Sequence, residues 1–220
     1  MVNTPETTNG RQTYLAMLAA VLITVVIAVS LPVTWVDPWM AESGPFEQGS
    51  VLCYILAVAV LLFTNARRLW PYAGGLALFA LRELDMDKAS FFTEGVFKAR
   101  QYSGDHVSLI EKVLSLAILI VVLVIAFKCL QRGLPALLRG LRQLDAVSLL
   151  ITTGLFLAVL AKSLDGLRRK LAPLGIEVSN FVSAKAGIIE ETTELGLAAM
   201  MLAATVTVWQ RERVASDYLN

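Results

Sequence analysis

A single histidine, His106, stands in this chain of 220 residues, and that scarcity removes several chemistries at once. A three-histidine zinc site, bis-histidine haem ligation and any mechanism that passes a proton between two histidines are excluded within the chain. Cysteine is as sparse. Cys53 and Cys129 are the two present, and they fall at opposite ends of the membrane depth derived below, too far apart for a disulfide. Both read as apolar packing residues. The sequence has no Cys-x-x-Cys, no Gly-x-Ser-x-Gly and no phosphate-cradling glycine loop. Charged residues make up 17%, the formal net charge is +1, and no long Lys/Arg run occurs. The clustered cations that hold a phosphate backbone are therefore missing, and nucleic acid is excluded as a partner.

What the chain has in quantity is apolar surface. Hydrophobic residues account for 56% of it and its mean hydropathy is +0.66, the composition of an integral membrane protein. A helix needs ~20 apolar residues to cross the hydrocarbon. Six stretches reach or approach that length, at about 14–36, 48–66, 71–88, 108–129, 145–164 and 184–209. The sequence thus predicts an all-α fold: a six-span transmembrane helical bundle with short interfacial helices, forming a single integral membrane domain over residues 1–220. The first stretch exceeds the ~7–15 residue apolar core of a signal peptide and follows one cation, Arg11, so it is expected as an uncleaved span.

Cations in the short connections set the expected orientation. With the amino terminus cytoplasmic, the inner segments hold Arg11, Arg67, Arg68, Lys128, Arg132, Arg139, Arg142, Arg211 and Arg213, whereas the first outer loop, 37–45, holds none. Both termini then lie inside. Arg168, Arg169 and Lys170 fall outside in this arrangement and argue against it. Within 131–142, Leu134, Leu137, Leu138 and Leu141 recur at helical spacing opposite Arg132, Arg139 and Arg142, the pattern of a basic helix lying on a lipid surface; a solvated linker is the plainer alternative. Residues 91–102 mix aromatics with charges and read as an outer-surface helix or lid.

Depth organises the remaining polar residues. A helix rises ~1.5 Å per residue, so counting from the inner end of each span puts Glu83 roughly 18 Å up, Asp87 roughly 24 Å, Glu194 roughly 22 Å and Glu190 roughly 28 Å. Glu111, Lys112 and Lys162 reach roughly 25 Å, and Glu47 and Asp165 roughly 30 Å. Ionisable residues from five spans therefore form a layer in the outer half of the membrane, in which acids outnumber the bases Arg82, Lys112, Lys162 and Lys185. A carboxylate in hydrocarbon must face the bundle interior, pair, protonate or hold a ligand.

At ~100° per residue, Glu190 and Glu194 stand only about 40° apart, as do Glu83 and Asp87. Two carboxylate pairs on facing helices make an oxygen-rich set suited to a hard divalent cation such as Mg, Ca or Mn. Glu83, Asp87, Glu190 and Glu194 are accordingly candidate metal ligands, Glu191 or Glu47 a candidate acid/base, and Arg82 an anion contact. Glu111, Lys112, Lys162, Asp165 and His106 complete the polar layer. The same residues also read as a network that fixes helix packing, with Arg82 beside Glu83, Glu111 beside Lys112 and Lys162 beside Asp165, or as a proton or ion pathway.

Three elements, Gly44-Pro45-Phe46-Glu47, Arg82-Glu83-Leu84-Asp85 and Glu190-Glu191-Thr192-Thr193-Glu194-Leu195, resemble those of uncharacterised bacterial multi-pass inner-membrane proteins of similar size. The resemblance spans most of the chain, implies a bacterial inner-membrane location and brings no activity with it. The last element also superficially looks like the Glu-Glu-x-x-x-Arg motif of CAAX-type intramembrane metalloproteases, but Leu195 stands where that family needs arginine and the family's further histidine motifs cannot be met with His106 alone. Undecaprenyl-pyrophosphate phosphatases share an acidic pair but have a Pro-Gly-x-Ser-Arg-Ser motif that is missing here. The resulting expectation is a membrane-embedded enzyme, metal-dependent and acting by hydrolysis on a lipid-linked substrate. The alternatives are a small proton- or cation-coupled transporter taking a small cationic ligand, and an accessory subunit that docks a membrane protein partner.

Overall fold

The computed structural model describes residues 5–40, 44–84, 86 and 92–217. Asp87, one of the expected metal ligands, lies outside the described residues. Regular structure among the described residues is entirely helical: α1 (Pro5–Ser30), α2 (Val33–Met40), α3 (Pro45–Glu83), α4 (Arg100–Ser103), α5 (Leu109–Arg142), α6 (Ala146–Leu164), α7 (Leu167–Leu171), a 3-10 turn (Ala172–Leu174) and α8 (Asn180–Asp217). Among the described residues, five segments are long and apolar enough to cross a membrane: Gly10–Ser30, Pro45–Glu83, Leu109–Arg142, Ala146–Leu164 and Asn180–Ser216. The all-helical, membrane-type class read from composition holds.

Helix α3 covers two of the stretches that hydropathy separates. Pro45 opens it at a position where its missing N–H costs nothing. At Asn65 the backbone leaves helical geometry (φ −162°, ψ 84°). The Asn65 side-chain oxygen accepts from the Arg68 backbone N–H at 3.1 Å, which makes Asn65 the N-cap of a second arm. The two arms, 45–64 and 66–83, fold back on each other: the Tyr54 and Phe79 rings stack at 5.7 Å, a contact that ~25 residues of straight helix would hold roughly 37 Å apart.

The basic segment at 131–142 is not a separate surface helix. It continues α5 without a break through Pro135, giving 34 residues in one helix. In 91–102 the helical part among the described residues is confined to α4. The α5–α6 turn is tight: Leu144 takes φ +53°, a left-handed conformation that non-glycine residues seldom adopt, and Asp145 then caps α6 by accepting from the Ser148 N–H at 3.1 Å.

Helix α8 occupies the centre of the bundle, packed against α1, α2, α3, α6 and α7, while α5 turns a long exposed row, including Ile110, Val113, Ile120, Val124, Phe127, Leu130 and Leu134, away from the other helices. Close approach at the centre depends on glycine. A Cβ on Gly154 of α6 would stand 2.9 Å from the Met201 methyl of α8, and one on Gly196 would stand 3.0 Å from Val21 of α1. Such small-residue contacts are how membrane helices gain packing energy when lipid is as apolar as the helices themselves. The core is filled by Tyr54, Ala57, Leu61, Leu69, Ala73, Leu76, Leu150, Leu157, Leu197, Ala198 and Met200.

Two ion pairs clamp one end of the bundle, Arg68–Glu212 at 2.9 Å and Arg211–Asp145 at 2.7 Å. The same end holds Asn65 and the α5–α6 turn. Counting ~1.5 Å per residue from that end, Arg82 rises roughly 21 Å along α3 and Glu194 roughly 27 Å along α8. Both helices therefore carry their charged residues to similar depth in the other half of the bundle.

Candidate functional site

At that depth α3 and α8 are joined by charge. Arg82 Nη2 donates to Glu194 Oε1 at 2.6 Å and Arg82 Nη1 to Glu83 Oε1 at 3.2 Å. Neighbouring residues on a helix diverge by ~100°, yet the long arginine stem lets the guanidinium return to Glu83 while reaching across to α8. Exposure divides the three unevenly: the side chains are 47% exposed for Arg82, 6% for Glu83 and 12% for Glu194. Two carboxylates are thus sunk into the bundle and tied to one cation at its edge, the pairing that buried charges require.

Around this bridge stand further acids of α8. Glu191 is half-buried and faces the charges of Glu47, Glu83, Glu190 and Glu194. Glu190 faces Asp165, Lys162 and Lys170 as well as Glu194, so one helical step turns it from α3 toward α6 and α7. The cluster at the α3–α8 seam therefore comprises Glu47, Arg82, Glu83, Glu191 and Glu194. Thr192 and Thr193 on the same turn are buried and return their hydroxyls to the carbonyls of Ile188, Ile189 and Glu190, which satisfies them within the helix.

Tyr54 was not among the candidates and belongs with them. It is fully buried, its hydroxyl has no hydrogen-bond partner among the described residues, and the charges it faces are Glu83, Glu194 and Arg82. A buried hydroxyl without a partner costs about 1–3 kcal/mol and is rare in folded proteins. The signal in the sequence was its position seven residues after Glu47, two turns along the same helix face. Beside Glu47 the outer surface of α3 carries a groove of about 390 Å³ lined by Glu47, Gln48, Val51, Leu52, Ile55 and Leu84.

Other expected members of the layer lie elsewhere. Glu111 accepts from the Thr93 backbone and hydroxyl at 3.2 and 2.9 Å and from the Ser108 hydroxyl at 3.1 Å, and its own N–H donates to that hydroxyl. Ser108 is the N-cap of α5, and the Glu111 carboxylate fastens that cap and the 92–108 connection rather than joining the α3–α8 cluster. Lys112 follows it on α5. His106 pairs through Nε2 with Glu94 at 3.1 Å on the exposed side of that connection. Lys162 donates to Asp165, and this bond holds the Asp165 carboxyl below the usual carboxylate range. Lys185 donates to the Val29 and Leu31 carbonyls at 2.7 Å each, closing the end of α1 in the way cations favour helix C-termini.

Among the described residues, no three His, Cys, Asp or Glu side chains converge to hold a metal ion. Glu83 and Glu194 each turn one oxygen to Arg82 instead. Compared with known proteins, the chain matches no family model, no curated protein and no solved structure. The short motifs that resemble bacterial multi-pass proteins therefore bring no family assignment, and the chemistry has to be argued from the cluster itself.

Proposed function

We propose that this protein is a membrane-embedded enzyme that hydrolyses a lipid-linked substrate reaching the α3–α8 cluster sideways from the bilayer. The observation that carries the reading is Arg82, which bridges buried Glu83 and Glu194 with two of its N–H groups while about half of its side chain stays exposed. A guanidinium has five donors, so the remaining ones are free in number to bind a phosphate or carboxylate, which suits arginine's role as a bidentate anion contact. Glu191 or Glu47 is the acid/base. A hard divalent cation held by Glu83, Asp87, Glu190 and Glu194 would need the Glu190 side chain to turn from α6 and α7 back toward Glu83 and Glu194, and would supply an activated water when bound.

The same reading takes α3 as two crossings, one per arm, which with α1, α5, α6 and α8 makes six. The cationic end, with Arg67, Arg68, Arg132, Arg139, Arg142, Arg211 and Arg213, is then cytoplasmic and the site lies in the outer half of a bacterial inner membrane. Lateral access is favoured over transport by the packing beneath the cluster, where Ala57, Leu61, Leu69, Ala73, Leu76, Leu150, Leu197 and Met200 fill the bundle between the site and the clamped end. A through-path for ions would need ionisable groups there, whereas the buried polar side chains of α8 in that stretch, Thr205 and Thr207, return their hydroxyls to the Leu202 and Ala203 carbonyls.

The test is turnover by the reconstituted protein. Liposomes carrying a lipid-linked phosphoester should release phosphate, and Arg82→Lys should slow the release by about a hundredfold, because an ammonium cannot replace a fork. Metal analysis after equilibrium dialysis should find stoichiometric Mg, Ca or Mn that is lost on Glu190→Gln with Glu194→Gln. Release without retained metal leaves hydrolysis standing and removes the metal. Absence of release from any phosphoester, with pH-dependent flux across the vesicles instead, would replace this reading by transport.

A further inference from the structure

We infer that the clamped end of the bundle binds the phosphodiester headgroup of an anionic phospholipid, held between Arg132 of α5 and Arg68 of α3 with the Tyr72 hydroxyl as a third donor. The three meet at the α3–α5 seam. A Cβ on Gly133 of α5 would stand 3.2 Å from Tyr72 Cε1 and 3.7 Å from its Oη, so the tyrosine ring lies on the α5 backbone at the residue beside Arg132. Besides the Cys129 thiol, the groups that the Tyr72 hydroxyl faces are Arg132 and Arg68. The seam is closed one turn away, where that thiol donates to the Pro71 carbonyl at 3.1 Å.

Charge selects the kind of occupant. Arg132 is exposed and makes no hydrogen bond or ion pair among the described residues, and the Tyr72 hydroxyl makes no hydrogen bond among them. Arg68 is 65% exposed and gives Nη1 to Glu212 at 2.9 Å. Glu212 is the acid that faces this set, and Asp145, the other acid whose side chain is described at this end, is taken by Arg211 at 2.7 Å. A guanidinium has five donors, so after the Glu212 pair the two arginines still offer a fork each, with a phenol between them. The complement of several donors carrying positive charge is one anion with several acceptor oxygens, which a phosphate supplies.

Spacing along α5 makes that anion a lipid. At ~100° per residue, Arg139, Arg132, Lys128, Val121 and Leu114 fall within an arc of about 40°. One edge of the helix thus carries three cations at the clamped end and then apolar residues, of which Val121 is 56% and Leu114 41% exposed. Val121 lies roughly 16 Å along the axis from Arg132, so a headgroup at the arginines lays its acyl chain on the apolar part of the same edge. Lys128 donates to Gln131 at 3.4 Å and Arg139 to the Pro135 carbonyl at 3.2 Å, which leaves both as flanking charge. Basic pockets between membrane helices take anionic headgroups in this way. The site stands at the opposite end of the bundle from the α3–α8 cluster and is independent of any hydrolysis there.

The experiment titrates purified full-length protein in a neutral detergent with dihexanoyl phosphatidylglycerol and, separately, dihexanoyl phosphatidylcholine, with bound lipid counted by native mass spectrometry. The glycerol lipid should bind about tenfold more tightly, because the choline lipid carries no net charge. Arg132→Gln should weaken the glycerol lipid by about tenfold, the scale of one charge-assisted hydrogen bond, and Tyr72→Phe by about fivefold, the scale of a neutral one. Arg169→Gln, which removes an exposed cation at the other end of the bundle, should leave its affinity unchanged. Equal affinity for the two lipids, an unchanged affinity in Arg132→Gln, or an equal loss in Arg169→Gln overturns the assignment. Where Arg132→Gln does not fold, Tyr72→Phe decides, and unchanged binding in that variant places the lipid elsewhere. Inorganic phosphate at the lipid's own concentration should fail to displace it; full displacement would make this a site for a free anion and overturn the lipid.

Discussion

Removing the guanidinium of Arg82 strands Glu83 and Glu194 inside the bundle, and the cost is set by their burial. Arg82→Met is expected to destabilise by about 3 kcal/mol, the lower part of the range for breaking a buried pair because the cation is half exposed. Adding Glu83→Gln and Glu194→Gln should restore most of it, since an uncharged triad leaves no stranded ion. Thermal unfolding in one detergent compares the three proteins; a loss below ~0.5 kcal/mol in the single variant would mean a solvated pair. Tyr54→Phe should be neutral or stabilising in lipid-free protein, because it deletes an unsatisfied hydroxyl. A clear fall in stability would reveal a partner for that oxygen. Depth counting in the sequence found the Arg82, Glu83 and Glu194 level because straight helices convert residue number into height. It failed for Glu111, where the pattern Ser108-x-x-Glu111 is a helix start and the carboxylate is taken up by the Ser108 hydroxyl and Thr93. Tyr54 escaped notice because an aromatic within an apolar run reads as packing until its hydroxyl is seen without a partner.

Among the elements, α3 and α5 show where hydropathy misplaces boundaries. An average over a window cannot separate a break of one residue from continuous helix, and at Asn65 the break consists of one extended residue whose side chain caps the arm that follows. Asn65→Ala should therefore cost about 1 kcal/mol, measured as a shift in thermal unfolding; no shift would mean that the arms hold the bend by packing alone. In α5 the polar composition after Lys128 suggested a separate element, but the described helix has no capping residue there and runs on to Arg142. The α6–α8 crossing was invisible to periodicity because it depends on what is absent from Gly154. Gly154→Leu should destabilise by about 1–3 kcal/mol through overpacking against Leu197, Met200 and Met201. A fully stable variant would show that these helices can separate.

For the whole molecule, composition alone established the membrane class, while the number of crossings turns on whether each arm of α3 crosses. Six crossings place both termini on one side and five place them on opposite sides. Reporter fusions after residues 66 and 220 should both read cytoplasmic and one after residue 104 external; opposite sides for 66 and 220 would contradict the two-arm crossing. The central position of α8, packed against five other helices, explains why acids confined to one of its turns meet both α3 and the α6–α7 corner. On the proposed function, the seam of Arg82, Glu83 and Glu194 is a working site and not only a packing contact. Phosphate release from a lipid-linked phosphoester in liposomes, compared between the native protein and the Arg82→Met, Glu83→Gln, Glu194→Gln triple variant at matched thermal stability, tests this most directly. The prediction is release by the native protein and at least a roughly hundredfold loss in the folded triple variant; equal rates, or release by neither, would contradict it.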